Sequence, residues 1–295
     1  MVVMTRNEAI NLPRCLSVAD RFSECFVVDS ASTDGTPALA RALGARVVPF
    51  VWNGRYPKKK QWCLDHLPLS QDWVLFVDAD ERPTPGLLDE LARLFAQGPR
   101  HAAYWIDGRP VLHGRPLRFG CWNRKLALLD RRRAVFPVVA DLDVATMWEV
   151  EGHYQPSVAG SLGRLRHPMD HADGKPLSAW FDRHNRYSDW EAALRADGRM
   201  DRLIDGERSG RRWLKRLFQR APLRPWLAFL HAYLWRLGVL DGRAGLDHAL
   251  FRAFYYWQIG VKARSLHSSD SVSLSPPNAF NRSKVRLRTP GSSMR

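Results

Sequence analysis

Two aspartates separated by one residue, Asp78 and Asp80, follow directly on the apolar run Trp73-Val-Leu-Phe-Val77. Carboxylates at this spacing are hard oxygen donors, suited to a divalent cation that also holds phosphate oxygens. The preceding run is short and continuously apolar, as in a strand covered on both faces. Ligands of open parallel sheets bind beyond the carboxyl ends of the strands, so Asp78 and Asp80 are expected to project into the ligand crevice. Asp29 likewise ends an apolar run, Cys25 to Val28, and opens the polar stretch Ser30-Ala-Ser-Thr-Asp-Gly35. Its alternative reading is an Asx-type turn that stabilises its own loop. Further along, Glu149 and Glu151 alternate within Met147-Trp-Glu-Val-Glu-Gly-His-Tyr-Gln-Pro156. On a strand they would point the same way, either into a shared pocket floor or as surface carboxylates. His167 and His171 have the spacing of a helical zinc pair, but Pro168 argues against a regular helix there.

The elements that must carry these groups alternate between strand and helix, as a parallel sheet with crossover helices requires. Strands are expected at Val2 to Met4, Cys25 to Val28, Val47 to Phe50 and Trp73 to Val77. Helices are expected at Glu8 to Val18, Pro37 to Leu43 and Lys59 to His66. Another should start at Thr84-Pro85, because Thr caps and Pro suits a first turn, and run to about Gln97. From Ala102 to Leu165 the pattern is mixed, with strand-like pieces at Ala103 to Ile106 and Leu126 to Leu129. Beyond Trp180 the chain turns helical through Phe181 to Leu194, then through two aromatic-rich stretches, Pro225 to Leu240 and Leu246 to Lys262. The expected organisation is a catalytic domain over 1–175, a helical amphipathic region over 176–264, and a disordered Ser-, Pro- and Arg-rich tail over 265–295.

Four motifs occur in a telling order: Thr5-Arg-Asn-Glu8, Val28-Asp-Ser-Ala-Ser-Thr-Asp-Gly-Thr36, Lys59-Lys-Gln-Trp-Cys-Leu-Asp65 and Val77-Asp-Ala-Asp-Glu81. Together they resemble the family 2 glycosyltransferases, nearest the subgroup with lipopolysaccharide-core and envelope-polysaccharide enzymes. The resemblance is strong over the first third of the chain and weak in the middle. It implies an α/β GT-A fold: a Rossmann-like, mostly parallel central sheet with flanking helices, plus a helical C-terminal region. It also implies an inverting transfer of a hexose from a nucleotide diphosphate sugar, expected to be UDP-linked, to an envelope glycan or lipid-linked saccharide. Within the resemblance, Asp29 would receive the base N–H, with Thr5, Asn7 and Glu8 on the same rim. Asp80 would bind Mg²⁺ or Mn²⁺, and Asp78 the ribose or metal-bound water. Lys60 would approach the diphosphate, while Lys58 and Lys59 read equally as a solvated run. His167 is implied near the metal, with an ordinary loop histidine as the alternative. Arg183 and Arg186 are candidates for phosphates of donor or acceptor, or for solvating a helix. Inversion needs a base to take the acceptor proton. Glu149 is preferred over Glu151, although Trp148 stands where relatives commonly carry histidine.

The chain has 295 residues, a hydrophobic share of 45% and a formal charge of +15. Such a charge requires an anionic partner: nucleic acid, lipid headgroups or phosphorylated small molecules. A basic nucleic-acid-binding protein would fit Trp213 and Phe218 among arginines, but no nucleic-acid module is recognised, and no nucleic-acid partner is expected. A nucleotidyltransferase acting on sugar phosphates would carry a glycine-rich basic loop after the first strand, where Thr5-Arg-Asn-Glu8 stands instead. Cys15, Cys25, Cys63 and Cys121 form no C-x-x-C pair, consistent with reduced thiols, and no signal peptide is read at Met1 to Glu8. The stretch Trp226, Phe229, Tyr233, Leu237, Leu240 is too short to span a bilayer. Beside the basic Arg211 to Arg220, it suits an anionic membrane surface, with packing on the catalytic domain or a dimer contact as the alternative. A cytoplasmic protein, peripheral on the inner face of the cytoplasmic membrane, is expected.

Overall fold

A computed structural model describes residues 1–145, 147–151, 154–200, 213, 216–218, 221 and 223–273. The chain runs β1 (Val2–Thr5), α1 (Leu12–Leu16), β2 (Phe26–Asp29), α2 (Thr36–Ala42), β3 (Arg46–Pro49), α3 (Lys59–His66) and β4 (Trp73–Asp78). It continues through β5 (Glu81–Pro83), α4 (Pro85–Gln97), β6 (Ala103–Leu112), β7 (Arg115–Pro116), β8 (Asn123–Asp130), β9 (Ala134–Val135) and β10 (Ser157–Val158). The remaining elements are β11 (Leu162–Arg164), β12 (Met169–His171), α5 (Leu177–Ala196), α6 (Arg224–Leu230) and α7 (Gly242–Ser273).

The main sheet has the order β3-β2-β1-β4-β8-β6-β12-β5, with β7 and β11 pairing off β6. Its first four strands are parallel. The second half is mixed: β8 is antiparallel to β4 and β6, and β12 is parallel to β6 but antiparallel to β5. This is the α/β architecture expected of GT-A. The chain moves outward from β1 to β3, then returns to place β4 on the other side of β1, which creates a crevice at the carboxyl ends of β1 and β4.

Alternation along the strands divides the core between two faces. Val3, Val27, Leu75 and Val77 pack with Leu12, Cys15, Leu87 and Leu91. Val2, Met4, Phe26, Val28, Val74 and Phe76 pack with Cys63, Leu64 and Phe136. Burial on both faces explains why these strands read as unbroken apolar runs. Val144, Trp190 and Leu194 form a smaller cluster that ties the loop before Glu149 to α5.

Several boundaries differ from expectation. The helix expected over Glu8 to Val18 shrinks to α1, because Pro13 is tolerated only in a first turn and Asn7 has φ 55°. The thread from Pro225 to Leu240 is broken: α6 passes into a π-type turn at His231–Trp235, and Leu237 has φ 58°. α7 continues through Ser273, into the stretch read as a tail, and the rest of that tail lies outside the described residues. Of the basic segment Arg208 to Arg220, only 213 and 216–218 are described. As expected, Thr84 Oγ1 caps α4 by accepting from Leu87 N at 3.3 Å, with Pro85 in the first turn.

Candidate active site

Register brings the first carboxylates together. Thr5 pairs with Asp29 across β1 and β2, and Met4 pairs with Asp78 across β1 and β4. Asp29 Oδ1 accepts from Thr5 Oγ1 at 2.8 Å and from Ser32 Oγ at 2.5 Å, while Oδ2 accepts from Ser32 N at 2.9 Å. The Asx-turn role is therefore real, and it fixes the carboxylate at the rim. Asn7 stitches the facing loops: its N–H donates to Ser32 Oγ at 2.7 Å and its Oδ1 accepts from Thr33 N at 2.8 Å. Glu8 is ion-paired with Lys175 and accepts from Asn11 Nδ2 at 2.7 Å. Burial raises the Glu8 carboxyl above its ordinary value, with Lys175 and Asn11 opposing.

The lysine run is not a solvated one. Lys58 is buried in an ion pair with Asp141 at 2.8 Å. Lys59 is 1% exposed, and its Nζ donates to Thr5 O at 3.0 Å and Ser30 Oγ at 2.6 Å. The same ammonium lies 3.6 Å from Glu149 Oε1. Burial depresses the Lys59 ammonium, partly offset by the Glu149 charge. Lys60 reaches Glu151 O at 3.3 Å, and its charge is felt at Asp78. Beside Lys60, expected from the sequence, the structure adds the buried Lys59, which joins the ends of β1 and β2 to Glu149.

Glu149 and Glu151 do not share a strand, which corrects the expected alternation: their segment is irregular and the two side chains diverge. Glu151 is 1% exposed and accepts Lys60 N at 2.7 Å and Gln61 N at 3.0 Å. It thus caps the first turn of α3 from a distant segment, where a negative charge meets unpaired N–H groups. Burial pushes its carboxyl upward, against those two N–H bonds.

At the other end of the crevice, Asp80 lies in the tight turn between β4 and β5. The pairing of β5 with β12 sets His171 opposite Glu81, and His171 Nε2 lies 3.1 Å from Asp80 Oδ2. Arg183 Nη1 is 3.8 Å from the same oxygen, and its Nη2 donates to Asp173 Oδ2 at 2.7 Å. Asn11 Nδ2 links Asp173 to Glu8, giving one polar network across the crevice. Burial would raise the Asp80 carboxyl, but His171 and Arg183 outweigh it and hold it well below the carboxylate range. The Asp80 charge in turn pushes His171 up to about 9. Lys125, on β8, donates to Asp78 Oδ2 at 2.5 Å and Glu81 Oε2 at 2.6 Å. Burial alone would lower its ammonium; the two carboxylates hold it above its ordinary value.

His171 therefore occupies the position expected of His167. His167 instead pairs with Glu90 of α4 at 2.9 Å and is 46% exposed, so it does not join Asp80. Strand β12 explains the exchange: it ends at His171 against Glu81, leaving His167 before the strand on the helix side. Arg186 is exposed, and only Arg183 of that pair reaches Asp80. Lys125 was visible only as a lysine entering an apolar strand, a weak signal without the β4–β8 pairing that brings it to Asp78.

The donor set fits a divalent ion sparingly. Asp80 Oδ2 and His171 Nε2 converge, and Asp78 stands beside them under Lys125. Among the described residues no three His, Cys, Asp or Glu side chains are grouped to hold a metal alone. Two protein ligands with phosphate oxygens and water completing the shell is the pattern of Mg²⁺ or Mn²⁺ held on a diphosphate.

The family model described as Glycosyl transferase family 2 matches residues 1–133. An uncharacterized glycosyltransferase of Rickettsia conorii is 31% identical over 199 residues, covering 64% of this chain and 67% of the relative. The chain belongs to glycosyltransferase family 2. LpsC of Rhizobium meliloti, a lipopolysaccharide core biosynthesis glycosyltransferase, is 27% identical over 281 residues, covering 90% of this chain and 92% of that protein. Among solved structures, a mannosyltransferase of Pyrobaculum calidifontis in complex with GDP-Man and Mn²⁺ is similar with a TM-score of 0.47 at 18% identity, covering 89% of this chain and 86% of that chain. The matched family 2 region takes in all the strand ends that carry Thr5, Asp29, Asp78 and Lys125. His171 and Arg183 come from beyond it.

Proposed function

We propose that this family 2 enzyme is an inverting, metal-dependent hexosyltransferase that uses a nucleotide diphosphate sugar, expected to be UDP-linked, and delivers it to an envelope glycan or lipid-linked saccharide. The observation that carries this reading is the convergence of Asp78, Asp80 and His171 at one end of a crevice whose other end holds Asp29. Similarity to LpsC along most of both chains supports an envelope acceptor.

In this reading Asp29 receives a base N–H, held in place by Thr5 and Ser32. Thr5, Asn7 and Glu8 shape the rim, and Lys60 and Arg183 approach the diphosphate, with Arg186 available to acceptor phosphates. Asp80 and His171 would hold Mg²⁺ or Mn²⁺, with Asp78 beside them. Such an ion supplies charge neutralisation on the departing diphosphate. Glu149 is assigned as the base: of the two glutamates, its carboxylate is not consumed by backbone N–H groups, and its side chain keeps 14% exposure. It takes the proton of the acceptor hydroxyl as that oxygen bonds to the anomeric carbon. The bond from that carbon to the diphosphate breaks, and the nucleoside diphosphate leaves. Lys59 stabilises the Glu149 carboxylate between turnovers.

No helix among the described residues is long and apolar enough to cross a membrane, and we place the enzyme as a peripheral protein on the inner face of the cytoplasmic membrane. The test is transfer of labelled sugar from UDP-hexose donors to an extracted envelope glycolipid fraction. Wild type should label the fraction, and Glu149→Gln should bind nucleotide yet leave the fraction unlabelled. Labelling by Glu149→Gln at the wild-type rate would remove Glu149 from the mechanism.

A further inference from the structure

A second depression, of about 350 Å³, lies between β6, the loop joining β7 to β8, β11 and the turn after α6, lined by Arg118, Arg164, Trp122, Trp235 and Arg236 around Asp107. It does not belong to the donor crevice. Successive residues of β8 point to opposite sides: Lys125 reaches Asp78 and Glu81, whereas Arg124 reaches Asp107 at 2.5 Å. Asp107 also accepts from Arg164 at 2.6 Å, so this single carboxylate already serves two guanidiniums. The nearby Asp241 carboxylate is spent on the backbone N–H groups of Arg118 and Phe119, at 3.0 and 2.8 Å. Among the described residues neither Arg118 nor Arg236 has a carboxylate partner; Arg236 Nε donates to Gly120 O at 3.3 Å. The depression therefore carries an uncompensated positive charge.

Trp235 borders this basic depression on one side. On the other it closes an apolar groove with Leu227, Leu230, His231 and Leu234. Trp235 is 81% exposed, and Leu230 and Leu234 are 46% and 54% exposed. Exposed apolar side chains gathered on one face, rimmed by polar residues, mark a contact surface for a partner or a membrane. An indole between an apolar surface and a cluster of guanidiniums matches the profile of a membrane interface, where an amphipathic ring sits at headgroup level.

We propose that Arg118, Arg164 and Arg236 form a seat for the phosphate of an anionic bilayer lipid, with Trp235 at the headgroup boundary and Leu227, Leu230 and Leu234 against the acyl chains. This deepens the peripheral-membrane reading, on which it rests, by assigning the headgroup contact to one site. Guanidiniums suit phosphate oxygens because their paired N–H groups match the spacing.

The test is co-sedimentation of the full chain with vesicles of phosphatidylcholine alone or mixed with phosphatidylglycerol. Wild type should bind the anionic vesicles preferentially. Arg118→Gln and Arg236→Gln should each weaken that binding roughly fivefold, and Trp235→Ser should weaken it on both vesicle types. Arg93→Gln, an equal loss of charge on exposed α4, should bind as wild type, and circular dichroism confirms that each variant is folded. Binding that falls equally in Arg93→Gln and the pocket variants overturns the site but leaves the membrane reading intact. Absence of wild-type binding to either vesicle overturns both. Saturable displacement from vesicles by glycerol 3-phosphate would assign the pocket to a soluble phosphate and overturn the lipid occupant.

Discussion

Replacing Glu151 separates a structural carboxylate from a chemical one. Its two oxygens accept Lys60 N and Gln61 N at 2.7 and 3.0 Å, and the residue is 1% exposed. Glu151→Ala would strand both N–H groups at the start of α3 without water to replace the acceptor. Loss of a helix cap together with desolvated donors should cost about 2–4 kcal/mol. For a domain of this size, that corresponds to a fall in Tm of roughly 5–15 °C. Glu151→Gln keeps one acceptor and relieves the cost of burying a charge, so it should lose only about 1–2 kcal/mol. Both variants, assayed well below their transitions, should retain sugar transfer. Glu149→Gln should behave in the opposite way, with a near-native Tm and no transfer. Differential scanning calorimetry beside the transfer assay reads both quantities. An unchanged Tm in Glu151→Ala would refute the capping argument, and loss of transfer in Glu151→Gln at a near-native Tm would move the base to Glu151.

Other predictions follow from the charged network. Lys125→Met leaves Asp78 and Glu81 facing each other without their shared ammonium, and should destabilise the metal-free protein by about 2–4 kcal/mol; added Mn²⁺ should recover part of this in a thermal-shift assay, and an undiminished Tm without metal would contradict the assignment. His171 is raised from 6.5 to about 9 by Asp80, so the folded state holds its proton more tightly than the unfolded one. Its contribution is complete below pH 6.5 and lost as the pH rises through about 9. With the His171 side chain 39% exposed, screening reduces that contribution to on the order of 1 kcal/mol. Denaturant titrations across this range should show the decline, and His171→Gln should flatten it. Asp29→Asn replaces an oxygen that accepts from Ser32 or Thr5 with a donor, and should weaken nucleotide binding about tenfold by calorimetry; unchanged affinity would leave Asp29 as a turn residue alone.

The placement of Asp29 and Asp78 at strand ends is legible because its signals are local. Apolar runs ending in Asp29 and Asp78 encode both the strand and the carboxylate at its carboxyl end, and the chain supplies them in the order that parallel pairing uses. Long-range pairing hid the rest. His171 reaches Asp80 only through the β5–β12 ladder, and Lys125 reaches Asp78 only through β4 and β8. The two histidines stand four apart, and nothing within that span of sequence indicates that one faces the Asp80 carboxylate and the other Glu90 of α4. Glu149 and Glu151 alternated as in a strand. Their partners, a buried lysine and a helix N-terminus, drew them apart in an irregular loop. In composition Lys59 is indistinguishable from Lys58 and Lys60, and only the fold reveals that three successive lysines enter three different environments.

We have proposed that Asp80 belongs to a metal-dependent site for the diphosphate of a nucleotide sugar. Calorimetric titration of UDP and GDP into the wild-type protein and Asp80→Ala, each with and without Mn²⁺, tests it most directly. One nucleotide should bind wild type tightly only with Mn²⁺, and this gain should be absent in a folded Asp80→Ala. Equal affinity with and without Mn²⁺, or a metal-dependent gain retained in Asp80→Ala, would contradict it.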